Sequence, residues 1–256
     1  MSVASGTVFH RSHLPMRIWF GACWQLATEK GGVSAQGLQR ALGIGAYSTA
    51  WLMLHKLRRA MIATSGELSG EVEVDETYFG GRKAGTGGRG AAGKAIVAIA
   101  VEHRKTGLGR IRMEVVEDAS AKSLTRFVLE NTADGSKILT DAWRGYARLD
   151  QYREHEMVSV SGSGGPAHAS LPGVHRVAAL LKRWVLGTHQ GGISMEQLDW
   201  YLAQFVFRFN RRKSSSRGLL FLRLLECAVA TPPQPQATIT AHHGFNSARS
   251  ATGMAP

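Results

Sequence analysis

The chain has 256 residues, with 31 lysines and arginines against 19 aspartates and glutamates, a formal charge of +12 and an isoelectric point near 10.2. That length suits one catalytic domain with a small partner, and the charge points to a polyanion such as nucleic acid. No stretch approaches the roughly 20 continuous apolar residues of a membrane-spanning helix, no signal peptide opens the chain, and Cys23 and Cys227 supply neither a disulfide framework nor a four-thiolate zinc site; the expectation is a cytoplasmic protein with no membrane partner.

The N-terminal stretch reads as three helices. Pro15–Leu26 is the first, Ser34–Gly43 the second with Ser34 as N-cap and Gly43 as stop, and Thr49–Met61 the third. Short helices joined by a glycine-containing turn, the last carrying Lys56, Arg58 and Arg59, match a helix-turn-helix that lays those cations on DNA. A plain three-helix packing module is the alternative. The region spans residues 1–66.

The run Val72-Glu73-Val74-Asp75-Glu76-Thr77-Tyr78-Phe79-Gly80-Gly81 comes next, with valines alternating at the strand period and a glycine pair to end it. Asp75 falls on the face opposite Val74, where a carboxylate can ligate a metal or cap a turn. Ala95–Val101 and Ile111–Val116 read as further strands, and Ser120–Thr132 as an amphipathic helix capped by Ser120. Ser136–Asp141 is another short strand finishing in aspartate, ahead of Ala142-Trp143-Arg144-Gly145-Tyr146. Two strands that each end in aspartate can bring both carboxylates to one sheet edge. Hard divalent cations take oxygen ligands, and shared carboxylates can hold two ions about 4 Å apart for in-line phosphoryl displacement. Met157–Val160 adds a strand by pattern, and the composition as a whole is mixed α and β.

Leu171–Trp184 reads as a helix opened by Pro172-Gly173, and His175 and Lys182, seven residues apart, project from one face of it. A histidine bonded to backbone and a solvated lysine are the plain alternative. Ser194–Arg211 is a later helix with Leu198, Tyr201, Leu202, Phe205 and Phe209 as its core stripe. Seven cations lie between Arg82 and Arg110 with Glu102 the single acid, and Arg82, Lys83 and Arg89 among them sit in or beside a glycine-rich loop. Six more lie between Arg208 and Arg223 with no acid, Arg211 and Arg212 included. Such runs suit a DNA backbone. The tail, residues 231–256, lacks the apolar content to order itself.

The segments V-E-V-D-E-T-Y-F-G-G, I-L-T-D-A-W-R-G-Y, L-L-K-R-W-x-x-G-T-H-Q-G and F-x-F-R-F-N-R-R, in that order, resemble the ISXO-like insertion-sequence transposases, which are DDE-type enzymes. The likeness runs from about Gly6 to Ala230. It implies an α/β, RNase H-like catalytic core over residues 67–230 and metal-dependent cleavage and strand transfer of the element's ends. It also implies magnesium or manganese as cofactor, inverted-repeat and target DNA as partners, and a homo-oligomer to pair two ends. Carried over on the aligned motifs, Asp75, Asp141 and His175 would be the metal ligands, with Lys182 completing the catalytic set and holding a phosphate near the scissile bond; Arg183, Arg211 and Arg212 are separate candidates for DNA-backbone contact.

His175 departs from the family pattern. Many relatives have Glu or Asn in an H-T-N-x-I-E context where this chain has Pro172-Gly173-Val174-His175-Arg176-Val177, and a neutral imidazole adds no negative charge for magnesium. Glu196 and Asp199 are rival acids, and Gln204 stands where relatives often carry Glu. Relatives commonly carry a zinc ribbon ahead of the helical region, and the expectation is a chain without it. Two other classes fit the sequence: a DNA-binding protein without catalysis, and a cellular nuclease of RNase H-like architecture.

Overall fold

The structure is a computed structural model that describes residues 4–62, 66–80, 94–158, 171–190 and 192–240. Three helices come first, α1 (Met16–Thr28), α2 (Ala35–Leu42) and α3 (Tyr47–Ala60), then strands β1 (Glu71–Phe79), β2 (Ala95–Arg104) and β3 (Gly107–Val116). Helix α4 (Ala121–Asn131), strands β4 (Lys137–Thr140) and β5 (Glu154–Met157), and helices α5 (Pro172–His189), α6 (Leu198–Asn210), α7 (Arg217–Ala230) and α8 (Gln236–Thr240) complete the chain order. By contacts these residues form two compact units. One takes residues 4–62 with 184–240, the other residues 66–183, and the division falls within α5.

The second unit is built on a five-stranded sheet of order β3-β2-β1-β4-β5. β2 runs antiparallel to both β1 and β3, whereas β4 pairs parallel with β1 and β5 parallel with β4. This order is that of the RNase H-like core that the motifs implied. The two residues Lys105 and Thr106 turn β2 back into β3, with Gly107 at a φ of +103° where a side chain would be strained. The parallel return to β4 needs a crossover, and α4 supplies it. Ser120 caps α4 by accepting from the Ser123 amide, and Leu124, Phe127 and Val128 pack on Val72, Val74, Ala98, Ala100 and Ile138. The face of β1 that carries Val72 and Val74 is therefore sealed in apolar core, and Glu73 and Asp75 belong to the opposite face.

Two cations of the Arg82–Arg110 run serve this sheet. Arg104 and Arg110 both bond the carboxylate of Glu102, which is 3 % exposed. Burial works to raise that group's pKa, but the bonds from Arg110 and Arg104 prevail and hold it down to about 2. β5 lies three residues earlier than the sequence suggested. Its Glu154-His155-Glu156 has no apolar alternation to announce a strand, because an edge strand with solvated side chains needs none, and Lys137 pairs with Glu156 across it at 2.6 Å.

In the helical unit α3 is the central element, with Ala50, Met53, Leu54, His55, Leu57, Arg58 and Ala60 buried along it. Ser34 caps α2 through the Gly37 amide, and Gly43 ends it at a φ of +63°. Phe207 of α6 and Leu224 and Ala228 of α7 join the same apolar cluster as Trp19, Cys23, Leu38 and Leu54. α6 and α7 thus spend apolar side chains on the N-terminal helices. The tail also holds more order than its composition suggested. α8 is helical with Ile239 1 % exposed, and Gln234 accepts from Arg59; residues 241–256 lie outside the described residues.

His55 is wholly buried among Trp51, Trp200 and Tyr201, and burial, then the charge of Arg58, pushes its pKa down to about 2. Burial and Arg58 likewise hold His189 down to about 3. Unfolded, each imidazole takes its proton near pH 6.5, so the unit's stability is complete above that value and drains as the pH falls from about 6.5 toward 3. For His55 the loss approaches about 1.4 kcal/mol per pH unit. Five of the six tryptophans (all but Trp143) lie in this unit, which makes indole fluorescence its reporter. The urea midpoint so measured is expected to drop between pH 7.5 and pH 5, and to drop less in His55→Leu; equal drops in both proteins contradict the assignment.

Candidate active site

The sheet puts β1, which carries Asp75, beside β4, which Asp141 follows. The parallel pairing of β1 with β4 runs Glu71 to Lys137, Val72 to Ile138 and Glu73 to Leu139, and the same offset two residues on sets Asp75 opposite Asp141. Asp141 lies one residue beyond the end of β4, where the Trp143 amide donates to its Oδ1 at 3.0 Å. Both carboxylates act on one hydroxyl. Burial pushes the Tyr146 phenol well above its usual range, and the charges of Glu76, Asp75 and Asp141 push it further. Asp75 lies in the middle of β1, which runs on to Phe79 and so does not finish in aspartate as its sequence suggested, whereas Asp141 follows β4; both are half-buried and lend negative charge to this part of the sheet.

A different carboxylate ties α5 to the same strand. Glu73, 3 % exposed, accepts from the Val174 amide at 2.8 Å and from His103 Nε2 at 2.7 Å. Glu73 thereby caps α5 from β1, two residues from Asp75 and on the same face. Gly173 is required by this close approach, because a Cβ there would lie 2.7 Å from Glu73 Oε2 and 3.1 Å from His103 Nε2. His175 is half-buried in the first turn of α5, its amide bonded to the Leu171 carbonyl, and Lys182 and Arg183 are exposed further along. Among the described residues no three His, Cys, Asp or Glu side chains are arranged to hold a metal ion, so His175 does not join the two aspartates in such a set. The carboxylate pair still fits magnesium, which binds through one or two carboxylates together with water and substrate phosphates. Glu196 and Asp199, the rival acids, belong to the helical unit.

The ISXO2-like transposase domain matches this chain over residues 67–210, more than half of its length. The chain belongs to this transposase family. A protein of the transposable element ISH50 of Halobacterium salinarum is 28% identical over 227 residues, covering 80% of this chain and 73% of that protein. Among solved structures, a Mos1 transposase paired-end complex with the left transposon end covers 86% of this chain and 81% of its own, at 12% identity and a TM-score of 0.38. The Mos1 strand transfer complex covers 86% and 77%, at 10% identity and a TM-score of 0.36. Scores this low carry no weight for the fold, which stands on strand order and register.

The transposase uses several of its expected DNA-contacting cations elsewhere. Arg58 is 1 % exposed, donates from Nε to Gln204 Oε1 at 2.8 Å and lies 3.9 Å from the Tyr201 ring centroid. It is a core residue, and its reading as a DNA contact is corrected here. Gln204, equally buried, is its partner. Arg59 is half-buried over Trp200, and Lys56 is half-buried beside it in α3. Arg211 and Arg212 stack on Phe207 and Phe209 at 4.0 and 3.8 Å, with Arg212 exposed and Arg211 partly so. Arg82, Lys83 and Arg89 lie outside the described residues. Sequence reading missed Glu73 as the cap of α5. The one available signal was an acid on β1 two residues before Asp75, the spacing that shares a face with it.

Proposed function

We propose that this transposase cuts and joins DNA by metal-dependent phosphoryl transfer at the Asp75–Asp141 pair. The observation that supports the reading is the β1–β4 register, which ends at Glu73 and Leu139 and, continued by two residues, pairs Asp75 with Asp141, in a family whose activity is transposition. Asp75 and Asp141 would hold magnesium or manganese, which when bound supplies Lewis-acid stabilisation of a pentavalent phosphoryl charge. The two carboxylates supply the negative charge that attracts the cation. Glu73 keeps the start of α5 fixed beside them. Lys182, exposed on α5, is assigned to a phosphate near the scissile bond, and Arg183 to the backbone next to it. Arg211, Arg212, Lys56 and Arg59 are assigned to non-specific backbone contact by the helical unit, where the sequence from Arg208 to Arg223 holds six cations and no acid, Arg223 pairing with Glu226 just beyond it.

The DNA partners in this reading are the element's own inverted repeats and a target duplex. Two ends must be joined in one event, so the working form is assigned as a homo-oligomer on DNA. Among the described residues no helix is long and apolar enough to cross a membrane. Strand transfer by the purified chain on a labelled duplex of the inverted repeat flanking its gene, in magnesium or manganese, tests the proposal. Joined product supports it. DNA binding without joining in either metal favours the binding-only reading.

A further inference from the structure

We propose that Tyr146 and Glu76 are positioning residues that set the spacing of Asp75 and Asp141, an inference that rests on the reading of that pair as the metal-holding centre. Asp141 stands beyond the last residue of β4, and the β1–β4 register ends at Glu73 and Leu139. The ladder therefore stops short of both aspartates. The chain after Asp141 is a tight segment pinned at several points. The Trp143 amide holds Asp141 Oδ1 at 3.0 Å, and the Trp143 indole donates to the Ala119 carbonyl at 3.0 Å. Gly145 leaves no room for a side chain, since a Cβ would lie 2.7 Å from the Ala119 oxygen.

The segment ends on Tyr146, which is fully buried and donates from its hydroxyl to Glu76 Oε2 at 3.0 Å. Glu76 is the residue after Asp75, on the α4 side of β1 and 8 % exposed. One hydrogen bond thus connects the backbone that carries Asp141 to the backbone that carries Asp75, from the face of the sheet opposite the aspartates. A carboxylate is costly to bury, and an apolar residue would satisfy a buried strand position on the same face as Val72 and Val74 equally well. Its placement is explained by the geometry it enforces. Changes to groups that orient metal-binding carboxylates typically weaken metal affinity by about 10- to 100-fold.

The test is manganese affinity of the purified full chain by electron paramagnetic resonance, with end joining against magnesium concentration as a second readout. Tyr146→Phe is expected to weaken manganese binding about tenfold and to raise half-saturating magnesium by the same factor, with the joining rate largely restored at saturating metal. Glu76→Ala is expected to match it. Glu76→Gln, which keeps an oxygen for the Tyr146 proton, is expected to shift affinity less than either, and it serves if Tyr146→Phe does not fold. Reduced thermal stability with unchanged manganese affinity in Tyr146→Phe and Glu76→Ala would mean a packing role only and overturn the proposal. Unchanged manganese binding in Asp141→Ala would instead overturn the active-site reading beneath it.

Discussion

Asp141→Ala, and equally Asp75→Ala, is expected to abolish strand joining while DNA binding survives. In the proposed mechanism the two carboxylates would supply the negative charge that holds a divalent cation at the reacting phosphate, and a cation so placed is worth several kcal/mol of transition-state stabilisation. At 1.36 kcal/mol per decade, a loss of about 4 kcal/mol slows joining about a thousandfold. In the same reading DNA binding would depend on cations outside the pair, and removing one carboxylate lowers the local repulsion toward phosphate, so affinity for the duplex is expected to hold or rise slightly. Joining by the purified variant within tenfold of the parent chain would remove Asp141 from the chemistry.

Arg58→Ala is expected to cost the helical unit about 3–5 kcal/mol, out of the 5–15 kcal/mol typical of a folded domain. Arg58 is among the largest fully buried side chains, and its truncation opens a cavity under Tyr201. It also strands Gln204, whose Oε1 loses the Arg58 Nε donor inside the core. The guanidinium itself is held below its usual pKa by burial, with Tyr201 working the other way. Arg58→Met restores volume without a buried charge and is expected to recover much of the loss. Tryptophan fluorescence in urea distinguishes these outcomes, and a change below 1 kcal/mol in Arg58→Ala contradicts the core assignment.

The two variants separate what the sequence discloses from what it hides. Asp75 and Asp141 are legible because strand period and strand end are local properties, and the motifs around them are long. The topology is set by the order of elements once the two aspartates are placed on neighbouring parallel strands. Glu73 is hidden because its partner Val174 lies 101 residues away, and nothing local distinguishes a capping glutamate from a solvated one. Arg58 misleads for a related reason. A basic residue near a helix end reads as a surface charge, yet α6 supplies Tyr201 and Gln204 to bury it. The grouping of α6 and α7 with α1–α3 escapes detection because Phe207, Leu224 and Ala228 would fit any apolar core. In the tail, a single Ile239 orders α8 against a composition that argues for disorder.

Iron-directed cleavage tests the proposed metal position directly. Ferrous ion with ascorbate, added to the purified chain in place of magnesium, generates hydroxyl radicals that cut the backbone beside the bound ion. Cuts are expected in β1 near Asp75 and in the segment after β4 near Asp141, both suppressed by excess magnesium and both absent in Asp75→Ala. Cuts confined to other segments, or cuts at these two that persist in Asp75→Ala, would contradict the account.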